Sequence, residues 1–195
     1  MSDTGAPTSA PLPPDISDEA GAALLDFARS AVVAAVRGGE RPSLPTHPEL
    51  QQPRGVFVSL HSGGQLRGCL GHIQADLPLV VATAQMAEAV TSEDPRFHPV
   101  RPSELDGLDV EVSVLSPLRP TAPDEVVVGR DGLMIRRGTR AGLLLPQVAT
   151  EHHLGRLDFL AALCRKAMLP DDAWRDPESS LLAFSAQLFG SKIRT

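Results

Sequence analysis

Apolar residues recur along the chain at two spacings, one typical of helices and one typical of strands. Between Leu24 and Val36 they recur every three or four residues, after Ser17 as a helix cap and before two glycines, which predicts a first helix. Further helices are predicted at residues 78–91, 147–151 and 156–167. Pro95 is expected to end the second helix, because the residue before a proline avoids the helical region.

Strand patterns lie between these helices. Residues 55–60 and 65–72 flank a short polar segment with two glycines, which predicts a β-hairpin. Further strands are predicted at residues 108–115, at 126–128 and 133–135 around an Asp-Gly turn, at 143–145 and at 181–189. Because hairpins and helices are interspersed without regular alternation, we expect an α+β fold with a mostly antiparallel sheet and flanking helices.

The chain is long enough for one well-buried core with a small satellite lobe. Residues 1–15 are rich in proline and small residues, so we expect a disordered tail there. We expect one domain over residues 16–190, with a smaller lobe at about residues 40–75. No apolar run of about 18 residues and no signal-like N-terminus is present, so we expect a cytoplasmic protein.

Charge and cysteine usage exclude several classes of function. The net charge of −6 argues against nucleic-acid binding. Sixteen of the eighteen basic residues are arginine, which we interpret as the coding bias of a GC-rich bacterium. Cys69 and Cys164 lie far apart without a Cys-x-x-Cys pattern, which argues against a disulfide framework and a structural zinc site.

The second strand of the predicted hairpin contains the sequence Arg67-Gly68-Cys69-Leu70-Gly71. Glycine weakens a strand and commonly marks a point where another backbone or a ligand comes close. With a period of two, Arg67, Cys69 and Gly71 share one face of the strand. A guanidinium beside the thiol would favour the thiolate.

This hairpin forms part of a larger set of motifs that resembles the AMMECR domain family, called AmmeMemoRadiSam system protein A in prokaryotes. The other motifs are Asp94-Pro95-Arg96-Phe97, the alternating residues 110–115 and the sequence at 142–149, in the same order as in the family. The resemblance extends from about residue 17 to residue 189. It implies a two-part α+β domain without an established activity, accompanied in prokaryotes by a Memo-like protein and a radical S-adenosylmethionine protein.

Cys69 and Glu111 are the candidate catalytic residues. A thiol needs a nearby cation or base to act as a nucleophile at neutral pH, yet a free cysteine often only fills space in a core. Glu111 lies in an apolar strand, where burial would raise its pKa for proton transfer, although strand alternation also predicts a solvated side chain. The family match strengthens the functional interpretation of both without excluding the structural one.

Arg67, Gly68, Gly71, Asp94 and Arg96 are the candidate substrate-binding residues. The side chain of Arg96 is suited to a carboxylate or phosphate, or it pairs with Asp94 or caps a helix end. We expect Cys69, Glu111 and Arg96 to meet on one concave surface.

Histidines do not add a metal site to this picture. His72 follows Cys69 by three residues, but these two residues supply at most two ligands, and His98, His152 and His153 fall where the family pattern assigns no role. No glycine-rich dinucleotide loop, phosphate loop or serine-nucleophile motif is present, so we expect no cofactor.

Two hypotheses about function follow. By family resemblance, the protein is a partner or adaptor that acts with a Memo-like protein and a radical S-adenosylmethionine protein. Alternatively, it is a cysteine-dependent enzyme that acts on a small anionic substrate at Cys69 and Glu111, with Arg67 or Arg96 orienting the anion.

Overall fold

Antiparallel pairing organises the chain into two separate four-stranded sheets in a computed structural model that describes residues 15–190. The helices are α1 (Asp18–Arg37), α2 (Leu79–Ala89), α3 (Pro146–Glu151) and α4 (Arg156–Lys166), with short 3-10 helices at Pro48–Gln51, Pro102–Gly107 and Ala173–Arg175. The strands are β1 (Val56–Ser62), β2 (Gln65–His72), β3 (Leu108–Leu115), β4 (Arg119–Pro120), β5 (Gly132–Arg137), β6 (Arg140–Leu144), β7 (Ser180–Phe184) and β8 (Ala186–Gly190). The predicted α+β class with antiparallel sheets and flanking helices is confirmed.

The first lobe consists of the sheet β2-β1-β3-β8 and of helices α1 and α2. Ser17 caps α1 by accepting the N–H of Ala20, and Gly38 ends the helix with a φ of 69°, as the sequence predicted. The buried side chains of α1, with Leu24 and Val32 among them, pack against alternate residues of β1 and β3 such as Val58. One face of this sheet therefore forms the first core.

Helix α2 ends earlier than predicted. Its last residue is Ala89, whereas the sequence pattern extended it to Thr91. Thr91 donates both its N–H and its hydroxyl to the carbonyl of Glu88, so a tight turn replaces the next helical turn. The residues after this turn form a loop that returns to the edge of the first sheet.

The second lobe consists of the sheet β4-β7-β5-β6 and of helices α3 and α4, with a core of its own that includes Leu133 and Phe159. The hairpin predicted around residues 129–132 is wrong. Residues 126 and 127 are irregular and 128–130 form a turn instead, because the buried Asp131 accepts the N–H of Val127 at 2.8 Å. The observed hairpin joins β5 to β6 and turns at Gly138, with a φ of 58°.

The predicted last strand is two strands in different sheets. Strand β7 lies in the second sheet and β8 in the first, and Ser185 marks the change. Beside it, the chain passes from β3 to β4 at Ser116. The N–H of Ser116 donates to the carbonyl of Ser185, and the Oγ of Ser116 accepts the N–H of Ser185. The two crossings between the lobes are thus tied together.

The division into lobes differs from the expected smaller lobe at residues 40–75. Strands β1 and β2 from that range belong to the first sheet, while the smaller second core draws its residues from 126–183. The tail predicted for residues 1–15 lies, except for Asp15, outside the described residues. Within residues 15–190, no helix combines the length and apolar character needed to cross a membrane, and the cytoplasmic location stays a prediction.

Candidate functional site

Strand β2 forms one edge of the first sheet and contains a β-bulge at Arg67. Leu60 pairs with Gly68 and His61 with Leu66, so Arg67 is an extra residue without a partner across the strand. The bulge breaks the alternation of side chains within the strand. The prediction that Arg67 shares the face of Cys69 relied on unbroken alternation and does not apply across the bulge.

The side chain of Arg67 binds other groups than the thiol. Its guanidinium pairs with Glu104 at 2.8 Å and lies 5.9 Å from the ring centre of Phe97. Arg67 is not among the main causes of the shift in the Cys69 pKa. Burial instead raises the pKa of the Cys69 thiol, and a hydrogen bond from Ser59 and the charge of Arg96 only partly offset that effect. The pairing of Arg67 with Glu104 and the raised pKa of the thiol weigh against the expected activation of Cys69 by Arg67.

Asp94 and Arg96 clamp the exposed edge of β2 at Cys69. The Asp94 carboxylate, only 4% exposed, accepts the N–H of Cys69 at 2.9 Å, the N–H of Arg96 and two bonds from the Arg96 guanidinium. Arg96 also donates to the carbonyl of Cys69 at 3.2 Å. Hydrogen bonds from the guanidinium, opposed by burial, hold the pKa of Asp94 well below its usual range. The two side chains replace a neighbouring strand at this position.

The two glycines beside Cys69 each admit a different neighbour. A Cβ on Gly68 would lie 3.1 Å from the carbonyl oxygen of Val90, on the side of the first core. A Cβ on Gly71 would lie 2.2 Å from the ring of Phe57, which covers this glycine on the opposite side. The close approach predicted from the sequence is present, and within the chain it comes from Val90 and Phe57.

Cys69, Ser59 and Glu111 form a row across three strands on the face of the first sheet opposite its core. Ser59 pairs with Cys69 on one side and with Glu111 on the other. Neighbouring strands are about 4.8 Å apart, which places Glu111 about 10 Å from Cys69. The structure therefore places Cys69 and Glu111 on one face of the sheet, and Arg96 binds the backbone of Cys69 at the sheet edge. The predicted concave surface shared by all three residues stays a prediction.

Glu111 is half-buried, so the solvated carboxylate that strand alternation predicted is not what the structure shows. Burial raises its pKa, while the charge of His61 lowers it and that of Glu151 raises it further. Glu151 belongs to α3 of the second lobe.

An open cleft of about 430 Å³ lies between the two lobes beside Cys69. Its first-lobe wall consists of Phe57, Cys69, Ile73 and Arg96, and its second-lobe wall of residues 141–145 with Met134, Val148 and Lys166. The second wall is mostly apolar, whereas Arg96 and Lys166 place two cations at the cleft. The volume is in the range of small-molecule sites, which is about 300–1,000 Å³.

Sequence reasoning missed the second wall of this cleft. Residues 142–149 carry part of the family resemblance but contain no charged or reactive side chain that would mark a site. One signal was available, because Lys166 is one of only two lysines in a chain with sixteen arginines. Position in the cleft, however, depends on how the lobes pack, and no local pattern encodes that.

The described residues contain no cluster of three or more histidine, cysteine or acidic side chains placed to hold a metal ion. His72 pairs with Asp76 at 2.5 Å, at the surface. Cys69 and Cys164 are both free thiols, and Cys164 is fully buried in the second core.

Comparison with known proteins places this arrangement in a family. The family model described as AMMECR1 matches residues 25–189. A protein from Methanothermobacter thermautotrophicus is 44% identical over 183 residues, which cover 89% of this chain and 95% of that protein. A protein from Thermococcus gammatolerans is 45% identical over 187 residues, which cover 89% of this chain and 91% of that protein.

A solved structure extends the similarity to the fold. The crystal structure of an uncharacterised protein from Pyrococcus horikoshii superposes with a TM-score of 0.86 at 39% identity, covering 91% of this chain and 94% of that chain. All three relatives are archaeal, so they do not support the expected bacterial source. The family resemblance is confirmed, and the chain belongs to the AMMECR1 family.

Proposed function

We propose that this protein binds a small ligand with an anionic group and an apolar body in the cleft between its lobes. The observation that carries this proposal is the composition of the cleft, in which Arg96 and Lys166 accompany an apolar wall that includes Leu143 and Met134. The bonds of Arg96 to Asp94 and to the carbonyl of Cys69 fix its guanidinium, which remains 54% exposed. A fixed cation beside an apolar surface recognises an acid without a large cost in ordering.

Octanoate is a suitable probe, because it combines a carboxylate with an apolar chain. We expect it to bind the full-length protein in isothermal titration calorimetry and to shift the NMR signals of cleft residues. Lys166→Gln should weaken binding about fivefold, since an exposed ion pair contributes up to about 1 kcal/mol. Arg37→Gln, which removes an exposed cation at the end of α1, is the matched control and should bind as wild type does. No binding of octanoate, or equal losses in the two variants, would contradict the proposal.

A cysteine-dependent reaction is the second candidate, because Cys69 lies in the cleft wall with Glu111 in the same row of side chains. The raised pKa of the thiol disfavours a nucleophile at neutral pH. We expect alkylation of Cys69 by iodoacetamide to reach half its maximal rate above about pH 8.5, the value of an ordinary thiol. Arg67→Ala should change this profile little, because Arg67 pairs with Glu104. Half-maximal alkylation well below pH 8.5 would favour the enzyme.

The family resemblance supports a third proposal, that the protein acts as a partner or adaptor for a Memo-like protein and a radical S-adenosylmethionine protein. Ligand binding in the cleft is compatible with this role. Affinity purification of the tagged chain from its native host, followed by mass spectrometry, is the test. Recovery of neither partner under conditions that preserve known complexes of that host would count against the adaptor role.

A further inference from the structure

We propose that the anionic group of the cleft ligand is a phosphate monoester, which binds in a second cavity beside the cleft. This inference rests on the proposed function, because it names the acid of the same ligand and the place where it binds. The cavity, here called the arginine pocket, has a volume of about 340 Å³ and is lined by Arg67, Pro95, Arg96, Phe97 and His98. Arg96 also lines the cleft, so the two spaces adjoin at this side chain.

The arginine pocket is basic, although the whole chain has a net charge of −6. Among the described residues that line it are two guanidiniums and one imidazole, and there is no carboxylate. The carboxylates that pair with the two arginines belong to Asp94 and Glu104, which lie outside this lining. An anion in the pocket therefore meets N–H donors and no acidic side chain.

Each guanidinium in the pocket keeps donors that the described chain does not use. Arg96 donates from Nε and Nη2 to Asp94, and Arg67 donates from Nε and Nη2 to Glu104. A guanidinium has five N–H donors, two of them on Nη1. Within residues 15–190, Nη1 of neither arginine has a hydrogen-bond partner. Four N–H donors are thus left for a ligand.

Phe97 and the two carboxylates hold these donors in position. The Cζ atom of Arg67 lies 5.9 Å from the ring centre of Phe97 and that of Arg96 lies 5.4 Å from it, distances at which a cation and an aromatic ring attract each other. Each guanidinium also binds its carboxylate through two nitrogens, which fixes its orientation. Side chains that are ordered before binding lose little freedom when a ligand arrives.

The donors of the arginine pocket suit a phosphate better than a carboxylate. The ion pairs cancel much of the charge of the arginines at long range, so selection depends on hydrogen bonds at contact distance. A phosphate monoester has three terminal oxygens, whereas a carboxylate has two. The pocket offers three donor groups, which are the two Nη1 groups and an N–H of the exposed His98 imidazole. With the phosphate held there, the apolar body extends past Arg96 into the cleft.

A pair of probes separates this inference from the proposed function. Octyl phosphate carries an eight-carbon chain, as octanoate does, and differs from it in the acid. We expect octyl phosphate to bind the full-length protein about tenfold more tightly than octanoate in isothermal titration calorimetry, which is the factor expected for one additional hydrogen bond to a charged group.

Variants locate the phosphate. Combining Arg67→Gln with Glu104→Gln removes the guanidinium together with its partner and keeps the net charge. Neither residue lines the cleft, so this variant should bind octanoate as wild type does and lose most of its preference for octyl phosphate. His98→Ala, at an exposed position where folding is not at risk, should reduce the preference about threefold.

The matched control combines Arg137→Gln with Asp176→Asn, which removes another partly exposed ion pair that lines neither cavity, and it should keep the full preference. If octanoate binds and octyl phosphate binds equally or less tightly, the phosphate site is refuted while the proposed function stands. A preference that survives both the Arg67 and Glu104 double substitution and His98→Ala also refutes the site, because the phosphate then binds elsewhere. Failure of octanoate to bind contradicts the proposed function itself.

Discussion

Substitution of Asp94 by asparagine tests the clamp that holds the edge of β2. The carboxylate accepts four hydrogen bonds, two of them from the backbone N–H groups of Cys69 and Arg96. Hydrogen bonds to a charged group contribute about 1.5–3 kcal/mol each, but those from the half-exposed guanidinium contribute less because water screens them. Asparagine keeps one acceptor oxygen, so we expect a loss of about 2–4 kcal/mol in the free energy of unfolding.

Thermal unfolding followed by circular dichroism measures this loss. For a chain of this size each 1 kcal/mol corresponds to about 2–4 °C, so Asp94→Asn should lower Tm by roughly 5–15 °C at pH 7. Asp106→Asn is the matched control, because Asp106 is exposed in a nearby 3-10 helix, and its Tm should change little. Equal shifts in the two variants would refute the structural role assigned to Asp94.

The pH dependence gives a second check on the clamp. The pKa of Asp94 is lowered in the folded protein, mainly by hydrogen bonds from Arg96, relative to about 3.9 in the unfolded chain. The stabilisation is therefore complete above the unfolded value and is lost as the pH falls below it toward the folded value. The difference in stability between wild type and Asp94→Asn should be constant from pH 6 to 8 and should shrink below about pH 4. A constant difference down to pH 2 would contradict this mechanism.

Three further substitutions test other parts of the structure. Gly71→Ala should push the ring of Phe57 into the cleft and abolish octanoate binding, whereas Gly107→Ala, where a Cβ meets nothing within 4 Å, should bind normally; equal binding would refute the role of Gly71. Glu111→Gln should stabilise the protein at pH 7 and not at pH 4 in urea unfolding, because burial raises the folded pKa and the ionised form opposes folding as the pH rises. Ser17→Ala should cost about 1 kcal/mol by loss of the α1 cap, and no change in urea midpoint would contradict that cap.

Local patterns were sufficient to predict the elements that depend on one face or one turn. Strand β3 matches the predicted residues 108–115, because its apolar residues alternate over a whole strand. The hairpin β1–β2 and the cap of α1 at Ser17 follow from residues adjacent in sequence. In each case the signal and the structure involve the same few residues.

The errors arose where a partner outside the apolar pattern overrides that pattern. Residues 126–128 have a strand sequence, yet the carboxylate of Asp131 binds the N–H of Val127 and favours a turn at residues 128–130. The run 181–189 reads as one strand, but Ser116 fixes Ser185 at the point where the chain leaves one sheet for the other. The bulge at Arg67 depends on pairing with β1 and cannot be recognised from β2 alone. For the same reason, the cleft wall around Lys166 required the packing of the lobes.

The position of β8 has a consequence for synthesis of the protein. Strand β3 pairs with β1 on one side and with β8, the last described strand, on the other. During translation the whole second lobe is made between these two strands, so one edge of β3 stays without its partner while about seventy residues emerge. Unpaired edges are templates for aggregation, and larger proteins are most exposed to it in such intermediates. A nascent chain that stalls between residues 115 and 186 therefore carries a first lobe in which one edge of β3 is unpaired.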